Sequence, residues 1–281
     1  MMSSANSQDQ PLLYARLSVR YEGKEPILRD LQIEIRQGEV LGLVGQSGSG
    51  KSTLAMAILG LLDRKSTQPE GTIRFQDIDL LQLSERELRT LRGRAISLVL
   101  QSPLSSLNPA LKIRTQLKEA WRAHASGTRA DCAKVISSAL QSVSLPADEE
   151  FQHKYPSQMS VGQAQRVLIA MAILHRPALL IADEATSALD VITQSEILAL
   201  FRELNRSTGM AILYISHDLA SVAGICDRIA ILHHGAIVEC GTTEQIFSDP
   251  QHEYTRRLMA ALPRLQPANP ELQNRTKAAA R

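Results

Sequence analysis

GQSGSGKST (residues 45–53) follows directly on the apolar run VLGLV (residues 40–44) and leads into LAMAIL (residues 54–59). Glycines at Gly45, Gly48 and Gly50 remove side chains, so that main-chain N–H groups can converge on an anion at the head of a helix. The pattern G-x-x-x-x-G-K-S/T between a buried strand and a helix is a phosphate cradle. On this reading Gly45, Gln46, Ser47, Gly48, Ser49 and Gly50 form the loop, and Lys51 places its charge at the β and γ phosphates. Ser52 offers its hydroxyl to Mg²⁺, and Thr53 supports the α-phosphate side. The helix opened by Lys51 is expected to run to about Leu62. A glycine-serine turn that happens to carry a lysine is the competing reading, and it explains neither the strand before nor the helix after.

Two further apolar runs, ALLIA (178–182) and AILYI (211–215), have no alternation and read, with VLGLV, as strands buried on both faces of a parallel sheet. Each ends in polar residues. In ALLIADEATSALD (178–190) the first carboxylate, Asp183, suits Mg²⁺, and the second, Glu184, suits polarising a water in line with a terminal phosphate. His217 in ISHD and Gln101 in LVLQSP end apolar strands at the same edge, where ligands of open parallel sheets sit. His217 is expected to hold Glu184 and its water, and Gln101 to sense Mg²⁺ and report to the segment C-terminal to it. An Asp-Glu pair or a histidine at one strand end is otherwise an ordinary solvated terminus, and the convergence is what raises both above it.

Residues 12–36 alternate apolar and polar, and GTIRFQ (71–76) adds a short strand, which together predict an antiparallel flank. Residues 102–175 carry helical spacing broken at LNP (107–109) and YPS (155–157), a helical insertion in the α/β core. Within it SVGQAQRVLIAMAIL (160–174) has a capping box, Ser160 with Gln163, before an apolar helix. The same helix start could receive an anion. IAILHHGAIVEC (229–240) predicts two strands around a turn, with His233 and His234 facing solvent there rather than binding metal. Residues 1–11 and 266–281 are expected to be flexible ends of a domain spanning 12–265.

With 44% apolar and 21% charged residues and a formal net charge of +2, the chain of 281 residues can bury a large core but carries no basic stripe for nucleic acid. Cys132, Cys226 and Cys240 lie outside any C-x-x-C pair, so no disulfide framework or cysteine metal site is indicated. The apolar runs fall well short of a bilayer span, so any membrane contact is expected through a partner.

Taken in order, GQSGSGKST, Gln101, MSVGQ, LLIADE, SALD and ISHD resemble the nucleotide-binding subunits of ABC transporters. The resemblance covers nearly the whole chain. LNPALKIRTQL, YPSQMS, SALDVITQSEIL and PQHEYTRRLMAALP are similar to its oligopeptide, dipeptide and nickel uptake branch, among the shorter members without a C-terminal cysteine cluster. It implies an α/β fold: a P-loop NTPase, RecA-like core with a parallel sheet, an antiparallel β flank and an inserted helical subdomain. The activity implied is ATP hydrolysis with Mg²⁺, powering uptake through two permease subunits on the cytoplasmic face of the inner membrane. A substrate-binding protein would supply the cargo. A second cassette, identical or different, would sandwich ATP between one chain's phosphate loop and the other's Ser160, Gly162 and Gln163. Asp190 would line the contact between cassettes, and Tyr21 would stack on adenine. Val161 stands where the family's signature has glycine. If that glycine serves a positive φ or a close approach, the site built from this signature is impaired. Rival readings are an ATP clamp without turnover in an asymmetric pair, or a soluble ABC-type ATPase outside transport.

Overall fold

The computed structural model describes residues 10–63 and 65–261. The expected alternation appears as β1 (Leu13–Tyr21) and β2 (Pro26–Ile35), an antiparallel pair whose odd positions from Leu13 to Val19 are buried. After them come β3 (Val40–Val44), α1 (Lys51–Ile58), β4 (Thr67–Phe75) and β5 (Ile78–Asp79). Helix α1 is shorter than expected. It stops at Ile58 because the chain leaves through a turn at Gly60, where Leu61 N–H reaches back to the Met56 carbonyl at 2.8 Å. Helix α2 (Glu85–Leu91), which the sequence reading did not single out, starts at a capping box formed by Ser84 and Glu87.

Strand β6 (Ile96–Val99) leads into the helical insertion: α3 (Pro103–Ser106), α4 (Ile113–Arg122), α5 (Arg129–Ser142), α6 (Glu149–Gln152) and α7 (Val161–Ile173). The LNP break falls between α3 and α4, the YPS break falls between α6 and α7 where Pro156–Gln158 form a short 3₁₀ turn, and Trp121 is buried. The remainder alternates: β7 (Leu179–Asp183), α8 (Val191–Thr208), β8 (Ala211–Ser216), α9 (Leu219–Ala223), β9 (Arg228–His233), β10 (Ala236–Thr242), α10 (Thr243–Ser248) and α11 (Glu253–Ala260).

Two sheets form. One runs β2-β1-β4-β5; the other runs β10-β9-β3-β8-β7-β6, parallel throughout except for the β9-β10 hairpin. Because side chains alternate across a strand, the parallel sheet sends its apolar residues into two separate cores. Leu41, Leu43, Leu179, Ile181, Leu213 and Ile215 pack with α1 and the antiparallel sheet. On the other face Val40, Val44, Leu180, Ala182, Ile212 and Tyr214 pack with the helical insertion and α8. Each such leucine or isoleucine, fully buried, contributes roughly 1.5–3 kcal/mol. Burial on both faces is why these strands have no alternation in sequence.

Cys132 and Cys226 are buried, Cys240 is exposed, and all three are free. No helix among the described residues is long and apolar enough to cross a membrane. The proposed flexible ends lie outside the described residues, apart from Gln10 and Pro11.

Candidate active site

Strand register brings the candidate residues to one edge. Val44 of β3 lies beside Ser216 of β8, Asp183 of β7 beside Ile215, and Val99 of β6 beside Ala182. The residues that come after these strands, Gly45, His217, Glu184 and Gln101, therefore leave the sheet side by side.

The loop starts where no side chain fits, since a Cβ on Gly45 would collide with the Leu232 carbonyl oxygen of β9. Gly50, at φ 108, turns the chain into α1. Lys51 is buried, and its ammonium donates to the loop's own carbonyls, Gly45 O at 2.8 Å and Gln46 O at 3.0 Å. Burial pushes this ammonium below the usual lysine range, while Glu184 and Asp183 act to hold it up. It lies 3.9 Å from Glu184 Oε1, and that same oxygen lies 3.4 Å from His217 Nδ1.

Asp183 is buried, and its Oδ1 has no hydrogen-bond partner. Burial pushes its carboxyl above the usual carboxylate range; the Ser52 hydroxyl opposes this, Glu184 adds to it and Lys51 opposes it again. Ser49 Oγ is likewise buried without a partner. Buried polar atoms of this kind are unfavourable unless a ligand completes them, and an unsatisfied carboxylate oxygen beside a serine hydroxyl is a donor set that suits a hard divalent cation.

Glu184 sits at φ 49, a conformation that costs a non-glycine residue roughly 1–3 kcal/mol. The surroundings enforce it: Glu184 N–H donates to Ile215 O at 3.0 Å, and its carbonyl accepts from Ser187 N–H at 3.1 Å and Ser187 Oγ at 3.0 Å. His217 is held by its neighbours. Ser216 Oγ accepts from Asp218 N–H at 2.9 Å, and the Asp218 carboxylate caps α9 at Ala220 and Ser221, which leaves the imidazole free to face Glu184. Gln101 is exposed at this edge, two residues past β6, and Tyr21 is half-buried at the end of β1.

Ser160, Gly162, Gln163 and Asp190 make a second cluster. The Ser160–Gln163 capping box is closed, with both reciprocal bonds at 3.2 Å, which satisfies the Ser160 and Gln163 N–H groups of this helix start. Asp190 caps α8 and accepts from Thr193 Oγ1 at 2.6 Å. The methyl of Thr193 packs against α7, where a Cβ on Gly162 would come within 2.7 Å of it. Thr193 thus joins the two predicted elements, and sequence reasoning missed it; the local D-x-x-T spacing of a cap was the available signal. Val161 is the first residue of α7 and is not among the residues with positive φ, so the backbone there does not require glycine. Its side chain is 39% exposed, which leaves close approach of a facing molecule as the one reason to prefer glycine.

His233 corrects the solvent-facing expectation. It ends β9 half-buried, its ring stacked on Tyr254 of α11 with centroids 3.7 Å apart, and only His234 and Gly235 form the turn. No group of His, Cys, Asp or Glu among the described residues is arranged as a preformed metal cluster.

Against known proteins, a sequence model described as "ABC transporter" matches residues 28–187, and one described as "Oligopeptide/dipeptide transporter, C-terminal region" matches residues 238–281. The chain is 41% identical to the dipeptide transport ATP-binding protein DppD of Bacillus subtilis, over 87% of this chain and 73% of that one. It is also 41% identical to the oligopeptide transport ATP-binding protein OppD of Salmonella typhimurium, over 89% of this chain and 75% of that one. A peptidoglycan transport ATP-binding protein of Agrobacterium fabrum is 44% identical over 92% of this chain, which spans only 48% of that relative's length. Among solved structures, a dimeric ATP-binding cassette in a post-hydrolysis state with ADP and Pi superposes with a TM-score of 0.70 at 28% identity, covering 82% of this chain and 98% of that one.

Proposed function

The chain belongs to the ABC transporter family as one of its ATPase cassettes, and from that premise we propose that it powers uptake of short peptides through a pair of partner permeases. Nickel is the other cargo of the branch it resembles. The relatives named for dipeptide and oligopeptide transport favour peptides. The carrying observation is a single carboxylate oxygen, Glu184 Oε1, placed between the Lys51 ammonium and the His217 imidazole at the edge where the phosphate loop begins.

In this reading Gly45 to Thr53 cradle the triphosphate with main-chain amides, and Lys51 exchanges the Gly45 and Gln46 carbonyls for phosphate oxygens. Ser52 and Asp183, with Gln101 at the same edge, would hold Mg²⁺, which neutralises phosphate charge when bound. Glu184 takes the proton of the attacking water, and His217 fixes the orientation of Glu184. Tyr21 carries the adenine. Ser160, Gly162, Gln163 and Asp190 serve the nucleotide of a second cassette, identical or not, and the assembly lies on the cytoplasmic face of the inner membrane with a substrate-binding protein outside. The contact between His217 and Glu184 favours turnover over an ATP clamp.

Calorimetry with MgATP tests this. Wild type should bind, and Lys51→Ala should weaken binding at least tenfold, since a buried charge-assisted contact is worth about 1.5–3 kcal/mol. Equal affinities would overturn the assignment.

A further inference from the structure

The C-terminal part of the chain reaches the phosphate loop from behind. Glu239 of β10 accepts from the Gln251 and His252 N–H groups at 2.7 and 3.0 Å, which fixes the turn into α11. His252 then caps that helix, its Nδ1 accepting from Tyr254 N–H at 3.2 Å. Tyr254 is thereby turned inward. It is 7% exposed, and its ring lies flat on His233 with 17° between the planes.

His233 is the residue after Leu232, whose carbonyl oxygen is the atom that excludes a side chain at Gly45. His233 and Gln46 line one cleft of about 320 Å³. The Tyr254 hydroxyl is buried with no hydrogen-bond partner; burial pushes it above the usual phenol range, and the Gln46 backbone opposes that rise. The Gln46 N–H belongs to the Gly45–Gln46 peptide, the unit whose carbonyl Lys51 holds at 2.8 Å.

One peptide at the mouth of the loop is therefore gripped on its carbonyl side by Lys51 and faced on its N–H side by an unsatisfied phenol. We propose that Tyr254 is a positioning residue of the phosphate loop: its hydroxyl accepts from Gln46 N–H and keeps this peptide oriented when Lys51 leaves the Gly45 carbonyl. The inference rests on the ATP-binding reading above. A buried hydroxyl without a partner is unfavourable, so the arrangement that completes it is favoured. The restraint on the peptide passes from the lysine to the tyrosine. Because Tyr254 lies within the segment matched by the separate C-terminal region, the grip on nucleotide depends on that segment being seated.

If Tyr254 only fills space against His233, its ring matters and its hydroxyl does not. The test uses the full chain. Tyr254→Phe keeps the ring, and is expected to weaken MgATP binding roughly fivefold, the worth of one neutral hydrogen bond, raising KM while kcat stays within about twofold. Its melting temperature should stay that of wild type, and with MgATP bound the Gln46 amide should exchange hydrogen faster than in wild type. Tyr254→Ala should lose more affinity and melt lower, and Phe should restore the melting temperature without restoring the affinity. Wild-type affinity and wild-type exchange at Gln46 in Tyr254→Phe would overturn the proposal, as would a loss of affinity that merely tracks a fall in melting temperature. Should wild type bind no MgATP, the ATP reading fails and this proposal with it, an outcome distinct from wild type and Tyr254→Phe binding MgATP equally.

Discussion

At the phosphate-loop edge, Asp183 Oδ1 and Ser49 Oγ are buried without partners, and Glu184 is held at φ 49. At the start of α7, Ser160 and Gln163 satisfy each other, and Asp190 and Thr193 close a second cap beside them. The first region stores unsatisfied polarity that a ligand can discharge. The second keeps its two helix caps closed within the chain. Buried unpartnered atoms thus set the loop edge apart as a place that receives a ligand, while the caps of α7 and α8 keep their shape without one.

The comparison breaks most sharply at Glu184. Glu184→Gln preserves shape but cannot take a proton, so phosphate release should fall by about 10²-fold or more while MgATP binding persists. An unchanged rate would move the general base elsewhere. The second region should instead respond to packing. Gly162→Ala places a methyl within 2.7 Å of the Thr193 methyl and should destabilise the chain by about 1–3 kcal/mol in urea unfolding. Adding Thr193→Ser removes that methyl and keeps the hydroxyl for Asp190, so most of the loss should return; additive effects would show that the two helices are not coupled there. Val161→Gly should have the smallest effect. Here the hypothesis is steric obstruction of a facing nucleotide by an exposed β-branched side chain, and its removal should raise ATP turnover of the assembled complex about twofold. No gain would mean that the facing molecule clears the side chain.

Much of the first region was legible in the sequence because its chemistry is contiguous. The loop, the Asp183–Glu184 pair and ISHD each sit where an apolar run ends, and parallel strands of similar length deliver their ends to one edge. The capping box was legible for the same reason, being local. What escaped lies in contacts through space. Nothing in HHG announces a tyrosine stacked on His233, and nothing in SVGQ announces the methyl of Thr193. The end of α1 was misplaced because apolar residues continue through Leu62, while backbone geometry at Gly60 had already turned the chain away. Of the two grounds for concern over Val161, the positive φ is one the helix does not use, and the close approach of a facing molecule is the one that Val161→Gly tests.

The partition of apolar side chains by the parallel sheet has an evolutionary consequence. Leu41, Leu43 and Ile215 belong to the layer beneath the phosphate loop, whereas Val40, Leu180 and Tyr214 belong to the layer of the helical insertion. Substitutions can accumulate among the helices, reshaping whatever docks on them, without disturbing the layer on which the loop is founded. One motor can in this way be refitted to different machines.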